Sequence, residues 1–170
     1  MTASTRRQNL LEDLKHADQP ISASAFAQKY SVSRQIIVGD VALLRASGQN
    51  IISTPRGYII PGQAIGKICT IACRHTADQM RDELYAIVDQ GCLIRDVIVE
   101  HPLYGQLTGN LALASRFDVD RYLERSRESA AQPLSLLTEG IHLHTIECPS
   151  GEAFRKVKER LKDLHILLPS

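Results

Sequence analysis

Between Ser31 and Gly48 the chain reads Ser-Val-Ser-Arg-Gln-Ile-Ile-Val-Gly-Asp-Val-Ala-Leu-Leu-Arg-Ala-Ser-Gly, and no other stretch restricts the fold as tightly. Ser33 is a capping residue type, set just ahead of apolar residues Ile36, Ile37, Val41 and Leu44 at helical spacing. Gly48 supplies a stop. The spacing therefore predicts a tight turn over 31–33 and a helix over 34–46. Upstream, Leu10, Leu11 and Leu14 predict a helix over 6–16 that Asp18-Gln19-Pro20 breaks. Pro20-Ile21-Ser22 reads as extended, and Ser22 or Ser24 caps a second helix over 25–30. Downstream, residues 51–60 form two apolar runs around a turn with Pro55 and Gly57, the mark of a hairpin. Helix, helix-turn-helix and hairpin in that order make a winged helix-turn-helix over residues 1–62.

In such a module the helix over 34–46 presents its first turn to base edges or phosphates. Ser33, Arg34 and Gln35 occupy that turn. Arg45 is placed to touch the DNA backbone or pin the wing, and Arg56 at the wing tip is a candidate phosphate or minor-groove contact. Gly39 opposes the pattern: mid-helix and exposed, it costs on the order of 1 kcal/mol and offers no side chain to the groove. Charge agrees with a DNA reader. Residues 1–62 carry seven basic against four acidic side chains, whereas the remainder carries 13 against 15. The near-neutral total of +1 conceals that difference.

The second part, 63–170, alternates between strand and helix patterns, after a linker-like 62–66. Expected are a buried strand over 67–73 and an amphipathic helix over 76–90 with Met80, Leu84, Ile87 and Val88 inward. Gly91 closes that helix and a strand over 97–101 follows. Residues 107–114 read as strand at their start. A charged helix over 118–131 is expected with Asp118 as cap, then a strictly alternating strand over 140–148 and a last helix capped by Ser150. The order β-α-β-β-α-β-α implies a two-layer α+β sandwich with helices on one face of its sheet.

His142 and His144 stand two apart on a strand, so both imidazoles face one side. His75 follows the first strand of this part, and Glu83 lies eight residues further on in the helix. If the two strands are neighbours, all four can meet. Imidazoles with one carboxylate suit a divalent zinc, nickel, iron or manganese ion, with an open position for a carboxylate or pyridine nitrogen. His101, ending a strand, and the flanking Tyr104 and Arg95 are candidates for gripping a ligand carboxylate, Arg95 as a bidentate clamp. His16 and His165 sit at helix C-termini and suit the dipole there. Cys69, Cys73, Cys92 and Cys148 lack metal-site spacing and read as buried, reduced thiols. There is no secretory signal and no span of apolar residues long enough for a membrane, so a cytoplasmic location is expected.

Residues 6–60 resemble the biotin-repressor and DeoR type of helix-turn-helix. Through Ser-Arg-Gln-Ile-Ile-Val (33–38), Thr-Pro-Arg-Gly-Tyr (54–58) and the histidines, the full length resembles the niacin-responsive repressor family (NiaR). That family joins such a module to a 3H domain, an HPr-like two-layer sandwich. The resemblance implies a homodimer that represses genes of NAD biosynthesis or niacin uptake on a double-stranded operator, with nicotinic acid, or nicotinamide, as effector. It also implies that the three histidines naming the domain are His75, His142 and His144, and that Glu83 completes a metal set. Two other functions remain open at this point: a regulator responding to the metal itself, and a metalloenzyme with a DNA-binding appendage. Against the latter, the chain has no Gly-rich phosphate loop, no Gly-x-Ser-x-Gly and no nucleophile–base pair.

Overall fold

A computed structural model describes residues 1–62 and 66–169. The chain divides into two compact units, Met1–Gln63 and Ala64–Ser170. Part of the expected 62–66 linker lies outside the described residues.

In the first unit, α1 (Ala3–Lys15), α2 (Ala23–Tyr30) and α3 (Arg34–Ala46) precede the two strands β1 (Ile52–Thr54) and β2 (Gly57–Ile59). Each helix starts on a hydroxyl that accepts an otherwise orphaned amide: Thr2 from Thr5, Ser22 from Ala25 and Ser33 from Ile36. Thr2 explains why α1 begins at Ala3, ahead of the expected start. Leu10, Leu14, Phe26, Ile37, Val41, Leu44 and Ile51 close one core. Ile36, expected in the helix stripe, is instead exposed; the stripe narrows to Ile37, Val41 and Leu44. Asp40 continues that inward face and is buried against Arg6 of α1 (Nε–Oδ2 2.6 Å), with Arg7 at 3.5 Å. The strand pair gains a third partner through the bridge between Ile21 and Tyr58, where the extended segment after Pro20 was expected.

Gly39 faces open space, with nothing within 4 Å of where a Cβ would stand. Gly39→Ala is therefore expected to stabilise this unit by about 1 kcal/mol, the difference in helix propensity. Thermal unfolding of the full chain, followed by hydrogen exchange in α3, checks this; loss of protection would mean that the helix tolerates nothing there.

The second unit runs β3 (Lys67–Arg74), a 3-10 turn (Ala77–Gln79), α4 (Met80–Val88), β4 (Leu93–His101), β5 (Gly105–Leu113), α5 (Arg116–Glu128), a second 3-10 turn (Leu134–Thr138), β6 (Ile141–Cys148) and α6 (Gly151–Asp163). The four strands form an antiparallel sheet ordered β3-β6-β4-β5. Alternation sends Cys69, Ile71 and Cys73 of β3 and His142, His144, Ile146 and Cys148 of β6 inward. There they join a core with Met80, Leu84 and Ile87 of α4, Val119 of α5, and Val157 and Leu161 of α6. The class is α+β, and no helix of the described residues is long and apolar enough to cross a membrane.

Two expectations needed correction here. The charged helix starts at Arg116, and its cap is Ser115 rather than Asp118. Ser115 accepts from the Asp118 amide (3.2 Å) while the Asp118 carboxylate reaches back to the Ala114 amide (2.9 Å), so the two residues satisfy both ends of the turn. Residues 105–113 are strand throughout. The turn at Leu134–Thr138 was not foreseen, since five residues of mixed polarity carry no period.

Candidate functional site

The register that pairs Cys73 with His142 brings the end of β3 against the start of β6. His75, the first residue but one after Cys73, then stands beside His142, and α4 delivers Glu83 from its first turn onto both. Glu83 Oε2 lies 2.6 Å from His75 Nε2, and Oε1 lies 2.8 Å from His142 Nε2 and 3.4 Å from His144 Nε2. All four groups are buried. The rings stack edge to face, His75–His142 at 4.9 Å and His142–His144 at 4.8 Å between centroids.

The outer nitrogens decide what the inner ones can do. Nδ1 of His75 meets the Thr76 carbonyl (2.7 Å), that of His142 the Gly140 carbonyl (2.8 Å), and that of His144 the Asp96 carbonyl (2.7 Å). A carbonyl only accepts, so each Nδ1 donates and carries a proton. Each Nε2 then turns inward, with a lone pair when the ring is neutral. Backbone oxygens behind each ring are the arrangement that orients histidines toward a metal. His144 Nε2 stands close to Glu83 without a hydrogen-bond partner, a buried polar atom left unsatisfied among the described residues.

Burial alone would push His75 and His144 toward neutrality, yet Glu83 holds both above the ordinary histidine value. Burial likewise opposes ionisation of Glu83, and the surrounding histidines outweigh it, holding the carboxyl well below its usual range. The carboxylate therefore favours the protonated forms of the His75 and His144 rings. Cys73 adds a donor that sequence spacing did not reveal: its Sγ and the ligand atoms of Glu83 and His142 all lie within 4.8 Å of one another. Burial pushes that thiol up, and it is protonated at neutral pH.

A pocket partly open to solvent is lined in part by Glu83, His142 and His144. Its walls are Met80 and Leu84 of α4, Val97, Leu111, Tyr122, and residues 133–135 of the second 3-10 turn. Ser135 and Tyr122 also line it, which sequence reasoning missed because neither lies in a motif.

Arg95, His101 and Tyr104 are not brought to this pocket. A bulge between Ile94 and Asp96 turns Arg95 toward Glu147 (3.9 Å), which shares the sheet face opposite the histidines. His101 closes the β4–β5 turn, its Nδ1 accepting from the amides of Leu103 (3.1 Å) and Tyr104 (3.3 Å). The same bulge gives Asp96 two tasks, its carbonyl on His144 and its carboxylate on the Thr145 amide (3.0 Å).

In the first unit, Ser33, Arg34 and Gln35 are exposed together on the first turn of α3. Arg45 donates to the Ile51 carbonyl (2.7 Å) and the Ser53 hydroxyl (2.8 Å), and lies over the Tyr58 ring. It pins the wing. Arg56 donates to Gln19 (2.6 Å), bracing the wing tip against the segment before α2.

Residues 68–170 match the family described as the 3H domain, and residues 6–59 match an HTH domain family. The chain is 37% identical over 163 residues to the "Probable transcription repressor NiaR" of Thermotoga maritima, which covers 96% of this chain and 93% of that protein. It is a 3H-domain transcription repressor of the NiaR/NadR type. To the "Transcription repressor NadR" of Bacillus subtilis it is 35% identical over 172 residues, 99% of this chain and 96% of that one. An "Uncharacterized protein" of Methanothermus fervidus is 30% identical over 106 residues, covering 17% of its own length. As a 3H-domain repressor the chain is a DNA-binding regulator and not an enzyme.

Proposed function

We propose that the chain represses genes of NAD biosynthesis or niacin uptake as a cytoplasmic homodimer, with nicotinic acid, or nicotinamide, as effector beside a metal ion. The observation that carries this reading is the apolar pocket that Glu83, His142 and His144 line together with Val97, Leu111 and Leu134. An apolar ring held against Val97, Leu111 and Leu134 would turn its polar end toward the centre, once the pocket widens to admit it. His75, Glu83, His142 and His144 would hold a divalent nickel, zinc, iron or manganese ion, for which the inward Nε2 atoms and the unsatisfied His144 nitrogen are suited. When bound, such an ion supplies a positive charge and an open position for an effector carboxylate or ring nitrogen.

Effector binding changes operator affinity only through a difference between two states of the dimer. Two winged helices on two half-sites give that difference a readout in DNA spacing. Titration with nicotinic acid and with nicotinamide, each with and without added zinc or nickel, tests the reading against operator affinity. Tightening by either pyridine only when metal is present supports it. Affinity that follows the metal and ignores both pyridines favours a metal-responsive regulator, the reading to which the cluster of Cys73, Glu83 and His142 also lends itself.

Ser33, Arg34 and Gln35 are assigned to the operator, with Arg45 and Arg56 holding the wing against the duplex. Arg34→Ala is expected to weaken binding by about 1–3 kcal/mol if the guanidinium grips a guanine edge. Fluorescence anisotropy on operator and on scrambled DNA measures it. Equal loss on both would place Arg34 on phosphate, and no loss would remove it from the interface.

A further inference from the structure

Cys92 and Cys148 stand outside the histidine centre, and repression as described has no use for them. Both are buried, and the Cys92 thiol donates to Cys148 with sulfurs 2.7 Å apart. The register explains the approach. Leu93 pairs with Glu147, so the next step outward sets Cys92 against Cys148 on neighbouring antiparallel segments. Directly opposed residues there keep their Cα atoms about 4.5–5.5 Å apart, inside the ~4.4–6.8 Å that a disulfide spans.

The other two thiols are excluded by the same register. Cys69 pairs with Ile146, and Cys148 with Lys67, so Cys69 is diagonal to Cys148. Diagonal positions lie roughly 7–8 Å apart, beyond disulfide reach. Cys73 sits opposite His142, toward the other end of β6.

We propose that Cys92 and Cys148 are an oxidation site that forms an internal disulfide and staples the effector domain. With a peroxide as two-electron oxidant, one sulfur attacks a peroxide oxygen; the O–O bond breaks, one water leaves and a sulfenic acid remains. The second sulfur attacks the first, the S–S bond forms and a second water leaves with the remaining oxygen. Two electrons pass from the sulfurs to the peroxide, and both thiol protons end in water.

The bond closes a loop between residues 56 apart in sequence. That loop contains Val97, Leu111, Tyr122 and Leu134 of the pocket wall, with His142 and His144 at its floor. The staple thus joins the start of β4 to the end of β6 around the pocket. Burial raises both thiols above the ordinary cysteine value, so the pair oxidises slowly.

Full-length protein is incubated with hydrogen peroxide, then alkylated in denaturant and mapped by peptide mass spectrometry, with dithiothreitol-reduced protein as reference. The expected result is alkylation at Cys69 and Cys73 only, a cross-linked peptide pair containing Cys92 and Cys148, and a melting temperature higher by about 10 °C. Cys69→Ala keeps the cross-link and Cys148→Ala abolishes it; should Cys148→Ala not fold, the wild-type map decides alone. Four alkylated cysteines after prolonged oxidation, or a bridge through Cys69 or between two chains, overturn the site. A correct bridge with an unchanged melting temperature overturns the staple.

Discussion

Glu83→Gln is expected to remove stoichiometric metal from the protein and to flatten its pH dependence when no metal is present. The carboxylate touches His75, His142 and His144 together, so its charge anchors the whole donor set. Losing a group that only orients the donors weakens a metal site by roughly 10–100-fold, and losing the one charged group of the proposed set is expected to exceed that. The pH limb follows from the direction of each shift. His75 and His144 are held above 6.5 in the folded chain, so their contribution is full below that value and is lost as pH rises through the folded values. Glu83 is held below 4.5, so its contribution is full above that value and is lost as pH falls through the folded one. The metal-free protein is therefore most stable between these two limits. Metal reverses the upper limb, because an ion needs Nε2 without its proton and gains affinity as pH rises. Melting temperatures measured against pH, with chelator and with added zinc or nickel, show both slopes. A variant that still carries one metal per chain, or a metal-free wild type with the variant's flat profile, would sink this account of the centre.

How far the sequence disclosed this centre depended on how local each signal was. His142 and His144 were legible as a pair because a strand's period of two is unconditional. Ser33 and Ser150 were legible as caps for the same reason, a cap acting within three residues, and of Ser22 and Ser24 the former proves to be the cap. The meeting of His75 and Glu83 with that pair depended on which strands are neighbours, and only the register of β3 on β6 answers that. Family resemblance joined the four residues earlier than any spacing could. Arg95 shows the opposite limit. Simple alternation cannot locate the bulge at Ile94–Asp96, yet that one extra residue sends Arg95 to the Glu147 side and lends the Asp96 carbonyl to His144. Cys73 was read as core, which it is, but its sulfur also lies within 4.8 Å of the Glu83 and His142 donor atoms. Asp40 hid in an apolar stripe because its partner, Arg6, lies 34 residues away.

Gly140→Ala is expected to break the centre without touching a ligand side chain. Gly140 has φ +85, and a Cβ there would stand 2.1 Å from the His75 carbonyl oxygen and 3.1 Å from its carbon. Both obstacles are backbone, so no side chain can swing aside; the end of β3 must separate from the start of β6. The Gly140 carbonyl also takes the His142 ring (2.8 Å) and the His75 amide (3.4 Å). One displaced peptide therefore misplaces two of the three imidazoles. The strained backbone alone costs about 1–3 kcal/mol, and loss of metal should add to it. Gly105→Ala separates the two contributions, since Gly105 has φ +71 but nothing within 4 Å of a built Cβ. That substitution is expected to cost only the left-handed penalty, roughly 1–2 kcal/mol, and to keep full metal stoichiometry. Urea unfolding with elemental analysis on both variants distinguishes them. If Gly140→Ala is no worse than Gly105→Ala and still holds metal, the close approach of residue 140 to His75 does not shape the site.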